Sequence, residues 1–206
     1  MSIAALVTGT AVNLICAFVV WRLGYTHLRY RFAILALWQF ALLMQIPEAI
    51  QWHYLDNGGL SPKGVETAAY WLNTLQPMAA FLVIASVSYG VVPLGEIAAA
   101  SVLPFAFTVI VAAYATTLLG RDIRIAPEAG CSHLSLHWWS TLKPFLPIYI
   151  GAMLITFFML VPAPQRYVHS GIFVGSLALS SLLYECGVGS VWCFSIALAG
   201  LGVLLP

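Results

Sequence analysis

Charged residues are scarce in this chain. Only 7% of its 206 residues are charged, eight Lys and Arg against seven Asp and Glu, while 62% are hydrophobic. A soluble globular domain carries about 25% charged residues, so the composition excludes a soluble globular fold. The few basic residues are scattered and form none of the positive patches that nucleic-acid recognition needs, which excludes nucleic acid as a partner.

Long apolar runs take the place of the missing charge. A helix that crosses about 30 Å of hydrocarbon needs about 20 mostly apolar residues. Seven runs approach or reach this length: 3–21, 32–52, 67–89, 97–119, 144–161, 168–184 and 191–205. They are apolar on all sides, and a helix satisfies its own backbone polar groups in lipid. We therefore predict an all-α, polytopic protein, a single seven-helix domain over residues 1–206 whose surroundings are the lipid bilayer and which could form oligomers.

The basic residues of the loops predict an orientation. The first loop carries Arg22, Arg29 and Arg31 without an acidic residue. Short cytoplasmic loops are enriched in Lys and Arg, so we expect the N-terminus outside and the C-terminus in the cytoplasm. The membrane would be a bacterial inner membrane or its equivalent. Loops two, four and six would then share the non-cytoplasmic face.

Glu48 is an ionisable residue inside the second predicted span. Such residues are costly in a membrane and are functional candidates by default. Gln45, Glu48 and Trp52 are spaced i, i+3, i+7 and therefore share one helical face, while Pro47 removes a backbone donor beside them. We predict Glu48 as the catalytic or proton-carrying group and its two neighbours as ligand-binding residues. The alternative is a structural contact within the bundle.

Two other spans carry polar groups toward the same membrane face. Asn73 and Gln76 are spaced i, i+3 in the third span and precede Pro77. Glu185 follows the sixth span, at the level expected for Glu48. We predict Asn73, Gln76 and Glu185 as ligand-binding residues. The alternative for the two amides is interhelical hydrogen bonding, and for Glu185 a solvated helix end.

The fourth loop contains a candidate metal site. His133 and His137 are spaced i, i+4, which lets two imidazoles on a helix bind one ion, and Cys131 would add a soft thiolate ligand. Zinc or copper fits this set. Alternatively, Cys131 forms a disulfide with Cys186 on the non-cytoplasmic face, or the histidines are interfacial residues.

Several segments together resemble an uncharacterised family of multi-pass proteins found mainly in bacteria, with relatives in algae and large viruses. They are residues 40–52, the Gln76-Pro77 pair, Cys131-Ser-His133-Leu, Glu185 and residues 191–194. The recurring Gln-x-x-Glu-x-x-x-Trp and Trp-Cys-Phe patterns mark Gln45, Glu48, Trp52 and Trp192, which makes Trp192 a further ligand-binding candidate. The family has no assigned activity, so the resemblance supports these residues and implies no substrate.

Three functions remain after these exclusions. The first is a polar pocket near the non-cytoplasmic face, in which a metal-dependent enzyme would act on a lipid-like or small substrate while Glu48 moves the proton of a metal-bound water. The second is a proton-coupled carrier. The expected position of the polar groups counts against a carrier, because they would lie one or two turns from the membrane face and carrier sites lie near the midplane. The third is a non-catalytic subunit whose polar cluster holds the bundle together.

Overall fold

A computed structural model describes residues 2–59, 62–118, 141–183 and 196–205 of the chain. Within these ranges the protein is entirely helical, as predicted. Its elements are α1 (Ser2–Leu23), α2 (Leu28–Leu42), α3 (Gln45–Asp56), α4 (Lys63–Thr74), α5 (Gln76–Ser88), α6 (Leu94–Leu118), the 3₁₀ helix η1 (Lys143–Phe145), α7 (Leu146–Leu160), α8 (Gln165–Leu183) and the 3₁₀ helix η2 (Ile196–Leu204).

Four helical stretches in the described part of the chain are long and apolar enough to cross a membrane. They are Ile3–Leu23, Leu28–Asp56, Leu94–Thr117 and Lys143–Leu160. The α4–α5 pair is a fifth candidate, bent by 53° at its break. The described parts of the predicted sixth and seventh spans, α8 and η2, do not meet the same criteria. These helices are compatible with a membrane location.

The helices extend beyond several of the predicted spans. The second stretch covers Leu28–Asp56 instead of residues 32–52, and α4 begins at Lys63 instead of residue 67. The predictions were too short because they ended where charged and polar residues interrupt the apolar run. A helix continues through such residues wherever its backbone hydrogen bonds are maintained.

The core lies among α2, α6, α7 and α8, where large aromatic side chains meet. Tyr149 contacts Phe107 and Phe173, with ring centroids 5.4 and 6.2 Å apart, and Trp38 lies 6.4 Å from Phe157. Large apolar side chains on the outer faces of α1 and α6 stay exposed, among them Leu14, Phe18, Val102 and Phe105. An apolar exterior of this kind is what a lipid-facing surface requires.

Arg31 is buried in α2 and does not belong to a loop, which corrects the interpretation of the first loop. Its side chain is only 2% exposed. Its Nε donates to the carbonyl of Thr26 at 3.0 Å, and its Nη1 donates to the carbonyls of Leu205, at 2.9 Å, and Val203. The guanidinium lies 4.7 Å from the ring centroid of Tyr25. The predicted orientation therefore depends on two exposed arginines instead of three, Arg22 near the end of α1 and Arg29 at the start of α2.

A chain of hydrogen bonds fixes the same C-terminal carbonyls to α2 and α8. The indole Nε1 of Trp38 donates to His169 Nδ1 at 3.2 Å. An indole N–H can only donate, so the ring proton of His169 is on Nε2, which donates to Gln165 Oε1 at 3.0 Å. Gln165 Nε2 in turn donates to the Leu205 carbonyl at 2.7 Å. This network joins three elements that are distant in sequence.

Gly202 allows η2 to approach α8 closely. A Cβ atom at Gly202 would lie 2.5 Å from Ile172 Cδ1 and 2.9 Å from His169 Cε1. We expect Gly202→Ala to lower the free energy of unfolding by about 1 to 3 kcal/mol, as overpacking does in well-packed cores. Denaturant titration of the detergent-solubilised protein measures this change. Gly171→Ala is the matched control, because no atom lies within 4 Å of a Cβ there and α8 gains helix propensity; equal effects of the two substitutions would refute the close contact.

Candidate functional site

The helices α3 and α4 form an antiparallel hairpin with a polar inner end. Each has 12 residues, so each is about 18 Å long. They pack against each other, and α3 also packs against α1. Gln45 is the first residue of α3, and Asn73 is the last but one of α4. Because the two helices have equal length and run in opposite directions, these two residues lie at similar depth, far from the connecting loop.

Both members of this hairpin end at a break in a longer helical stretch. The break between α2 and α3 lies at Leu43 and Met44, and the break between α4 and α5 lies at Leu75. Pro47 and Pro77 follow these breaks, and each lacks the N–H that would continue the i to i−4 ladder. The prolines thus explain why the second stretch has a local irregularity at Leu43 and Met44, which keep helical backbone angles, and why the α4–α5 pair bends by 53°.

Six polar side chains are buried on the hairpin and the start of α5. They are Gln45, Glu48, Gln51, Asn73, Thr74 and Gln76, and none is more than 2% exposed. Gln45, Glu48 and Gln51 are spaced three residues apart and lie on the buried face of α3. Asn73 and Gln76 lie on either side of the bend between α4 and α5. The sequence thus places a polar cluster where the two breaks meet the core.

Tyrosine hydroxyls fix part of this cluster to neighbouring helices. The hydroxyl of Tyr149 in α7 donates to Gln76 Oε1 at 2.6 Å. Tyr70, one turn before Thr74 in α4, donates from its hydroxyl to the Val111 carbonyl of α6 at 2.6 Å. Thr74 Oγ1 donates to the Tyr70 carbonyl at 2.8 Å. These bonds hold α4 and α5 in a fixed position against α6 and α7.

Four amide side chains of the cluster nevertheless contain buried atoms without a hydrogen-bond partner among the described residues. These atoms are Gln45 Nε2, Gln51 Nε2 and Oε1, Asn73 Nδ2 and Gln76 Nε2. Buried polar groups in proteins are normally hydrogen-bonded, and an unsatisfied one costs about 1 to 3 kcal/mol. These atoms need partners beyond the described residues, which a bound ligand, an ordered water or another part of the chain would supply.

A second amide network, between α1 and α2, shows the contrasting arrangement. Asn13 Nδ2 donates to Gln39 Oε1 at 3.0 Å, and Gln39 Nε2 donates to Thr10 Oγ1 at 3.0 Å. Both polar atoms of Gln39 therefore have partners within the protein, whereas Asn13 Oδ1 is buried without one among the described residues. Gln39 is arranged as an amide that joins two helices is expected to be, and the hairpin amides differ from Gln39.

The predicted site residues fall into two groups. Glu48, Gln45, Asn73 and Gln76 are all buried in the cluster, and Trp52 is partly buried on α3. The remaining predictions lie outside the described residues: Glu185, Trp192, Cys131, His133, His137 and the disulfide partner Cys186. Their ligand, metal and disulfide roles stay predictions.

The helix that carries Glu48 continues past the end of the predicted span. Glu48 was predicted about one turn from the end of a span at residue 52, and α3 continues to Asp56, about two turns beyond Glu48. Gln45 and Asn73 lie near those ends of α3 and α4 that are about 18 Å from the connecting loop. The depth of these side chains in a membrane stays a prediction.

Gln51 and Tyr149 belong to the cluster although the sequence analysis did not select them. Gln51 continues the three-residue spacing of Gln45 and Glu48, a signal that was present in the sequence but was assigned to Trp52 instead. Tyr149 carries no such signal, because its contact with Gln76 joins residues 73 positions apart. No spacing rule within one helix predicts a contact of this kind.

The described part of the chain offers no alternative metal centre. Within residues 2–59, 62–118, 141–183 and 196–205, no group of three His, Cys, Asp or Glu side chains is placed to hold a metal ion. Cys16, the cysteine in these ranges, is buried in α1 as a free thiol. A metal centre therefore stays a prediction for Cys131, His133 and His137.

Comparison with known protein families, with curated proteins and with solved structures finds no match to this chain. The resemblance to the uncharacterised multi-pass family stays a prediction. The interpretation of the site accordingly depends on its own geometry.

Proposed function

We propose that the chain is a multi-pass membrane protein of seven spans, with its N-terminus outside and its C-terminus in the cytoplasm, that binds a small polar molecule inside the bundle and carries it across the membrane. The observation that carries this proposal is the set of unsatisfied amide atoms on Gln45, Gln51, Asn73 and Gln76. A bound ligand would supply the missing partners. Glu48 would serve as the proton-coupling carboxyl group.

The bend of 53° between α4 and α5 supports transport over simple binding. Discontinuous helices near the midplane are the usual binding elements of secondary carriers, because their interrupted ends face the substrate. Irregular backbone at membrane depth is tolerated where it is buried in protein or lines a cavity. The bend between α4 and α5 meets this description, since Asn73 and Gln76 beside it are buried.

A purely structural role accounts less well for these amides. A polar cluster that holds helices together stabilises the fold through satisfied hydrogen bonds, each of which contributes about 0.6 to 2 kcal/mol in membranes. Gln39 fits that description, and Gln51 does not, because both of its polar atoms are buried without a partner among the described residues. An unsatisfied amide lowers stability, and a ligand site explains why it is present.

Replacing the unsatisfied amides by apolar side chains of similar shape tests this proposal without knowledge of the ligand. We expect Gln51→Met and Asn73→Leu each to raise the free energy of unfolding of the ligand-free protein by about 1 kcal/mol, because removing an unpaired buried amide removes its desolvation cost. Denaturant titration in detergent measures the change.

Gln39→Met is the matched control for this experiment. It removes an amide that has partners on both atoms, so it should lower the free energy of unfolding by about 1 kcal/mol. If Gln51→Met and Asn73→Leu destabilise the protein as much as Gln39→Met does, the hairpin amides are structural contacts and the ligand site is refuted.

A further inference from the structure

The five unsatisfied amide atoms of the cluster specify what kind of ligand would complete it. Four of them are amide nitrogens, on Gln45, Gln51, Asn73 and Gln76, and each donates hydrogen bonds. One, Gln51 Oε1, accepts. A complementary ligand must therefore present several acceptor atoms and at least one donor.

The charged side chains of the described residues restrict the class of ligand further. Among the described residues Arg31 is the one buried cation, and it lies in the first turns of α2, bonded to the carbonyls of Val203 and Leu205. Lys63, at the outer end of α4, is exposed. A buried anion needs a cationic partner to offset its desolvation, and the described part of the cluster contains none. A metal cation needs several electron-pair donors around it, and the described residues contain no group of three His, Cys, Asp or Glu that could hold one.

We propose that the ligand is an uncharged polyhydroxylated molecule, of the sugar or sugar-alcohol class. This inference rests on the proposed function and specifies the substrate class of the same site. A hydroxyl group has one donor and two acceptor lone pairs, so a molecule with several hydroxyls satisfies both the amide nitrogens and Gln51 Oε1. Gln45 and Gln51 are about 9 Å apart along α3, which favours several hydroxyl groups over one.

The test is the thermal unfolding of the detergent-purified full chain with increasing concentrations of glycerol, xylitol or D-glucose. Polyols also stabilise proteins by exclusion from the surface, an effect that rises without saturation. We expect at least one of the three to add a saturable increase in Tm of about 3 to 5 °C at ten times its Kd. The Gln51→Met/Asn73→Leu double variant should retain only the increase in Tm that does not saturate with polyol concentration.

A charge series on one ring tests the uncharged character of the ligand. D-glucosamine carries one positive charge on a glucose-like ring, and D-glucuronate carries one negative charge on the same kind of ring. We expect neither to give the saturable increase in Tm. The proposal is overturned if glucuronate or glucosamine stabilises the wild type as glucose does, or if no polyol in the series gives an increase that the double variant lacks.

The ligand site and the polyol class of its ligand can be refuted independently. If Gln51→Met and Asn73→Leu raise stability but no polyol binds, the amides still form a ligand site and only the polyol class is wrong. If these substitutions destabilise the protein and no polyol binds, the site itself is refuted.

Discussion

The Arg31→Met variant should unfold with a free energy about 3 to 5 kcal/mol below that of the wild type, because each of the three hydrogen bonds of Arg31 contributes about 1.5 to 3 kcal/mol and the desolvation cost of its buried charge offsets part of their sum. Arg31 is buried and donates to the carbonyls of Thr26, Val203 and Leu205. Methionine retains the apolar part of the side chain but donates no hydrogen bond. The carbonyls at the end of η2 would then lose their charged partner.

Denaturant titration of the purified protein measures this loss, and Arg29→Met is its control. Arg29 lies on the same turn of α2 but is exposed, and its guanidinium is 5.4 Å from the ring centroid of Tyr30. Exposed cation–π contacts contribute about 0.5 to 1 kcal/mol, so the control should change stability by no more than that. Similar effects of both substitutions would mean that Arg31 acts only as a surface charge.

The Arg31 contact also shows what the sequence could not predict. Apolar runs predict helices because a span must satisfy its own backbone, and every described run is helical. Arg31 binds carbonyls up to 174 positions away. A partner that is a backbone atom of a distant segment leaves no pattern in the sequence, so Arg31 was assigned to a loop by its charge alone.

The candidate site was predictable only in part, for the same reason. Spacing within one helix correctly grouped Gln45 with Glu48, since residues three apart share a face. Asn73 and Gln76 are both buried, but they lie in α4 and α5, on either side of a 53° bend that their spacing did not predict. The meeting of α3 with α4 depends on where the two helices end, and those ends lie beyond the apolar runs.

Glu48→Gln should abolish proton-coupled uptake while leaving the fold intact. Glutamine has the shape of a protonated glutamate but cannot exchange a proton, so an intramembrane relay would stop at this position. The measurement uses proteoliposomes containing a pH-sensitive dye, to which the polyol that most stabilises the wild type is added. The wild type should change the internal pH, and Glu48→Gln should do so no faster than empty liposomes.

Glu96→Gln is the matched control, because Glu96 is an exposed acid in the first turn of α6. It should transport at the wild-type rate. A wild type that moves no protons with any of the three polyols contradicts a proton-coupled carrier of this substrate class. A Glu48→Gln variant with a Tm several degrees below that of the wild type and unchanged uptake would instead assign Glu48 to the packing of α3. The site would then act through its amides alone, since binding requires the donors of Gln45, Gln51 and Asn73, and only the coupling to protons requires a titratable group.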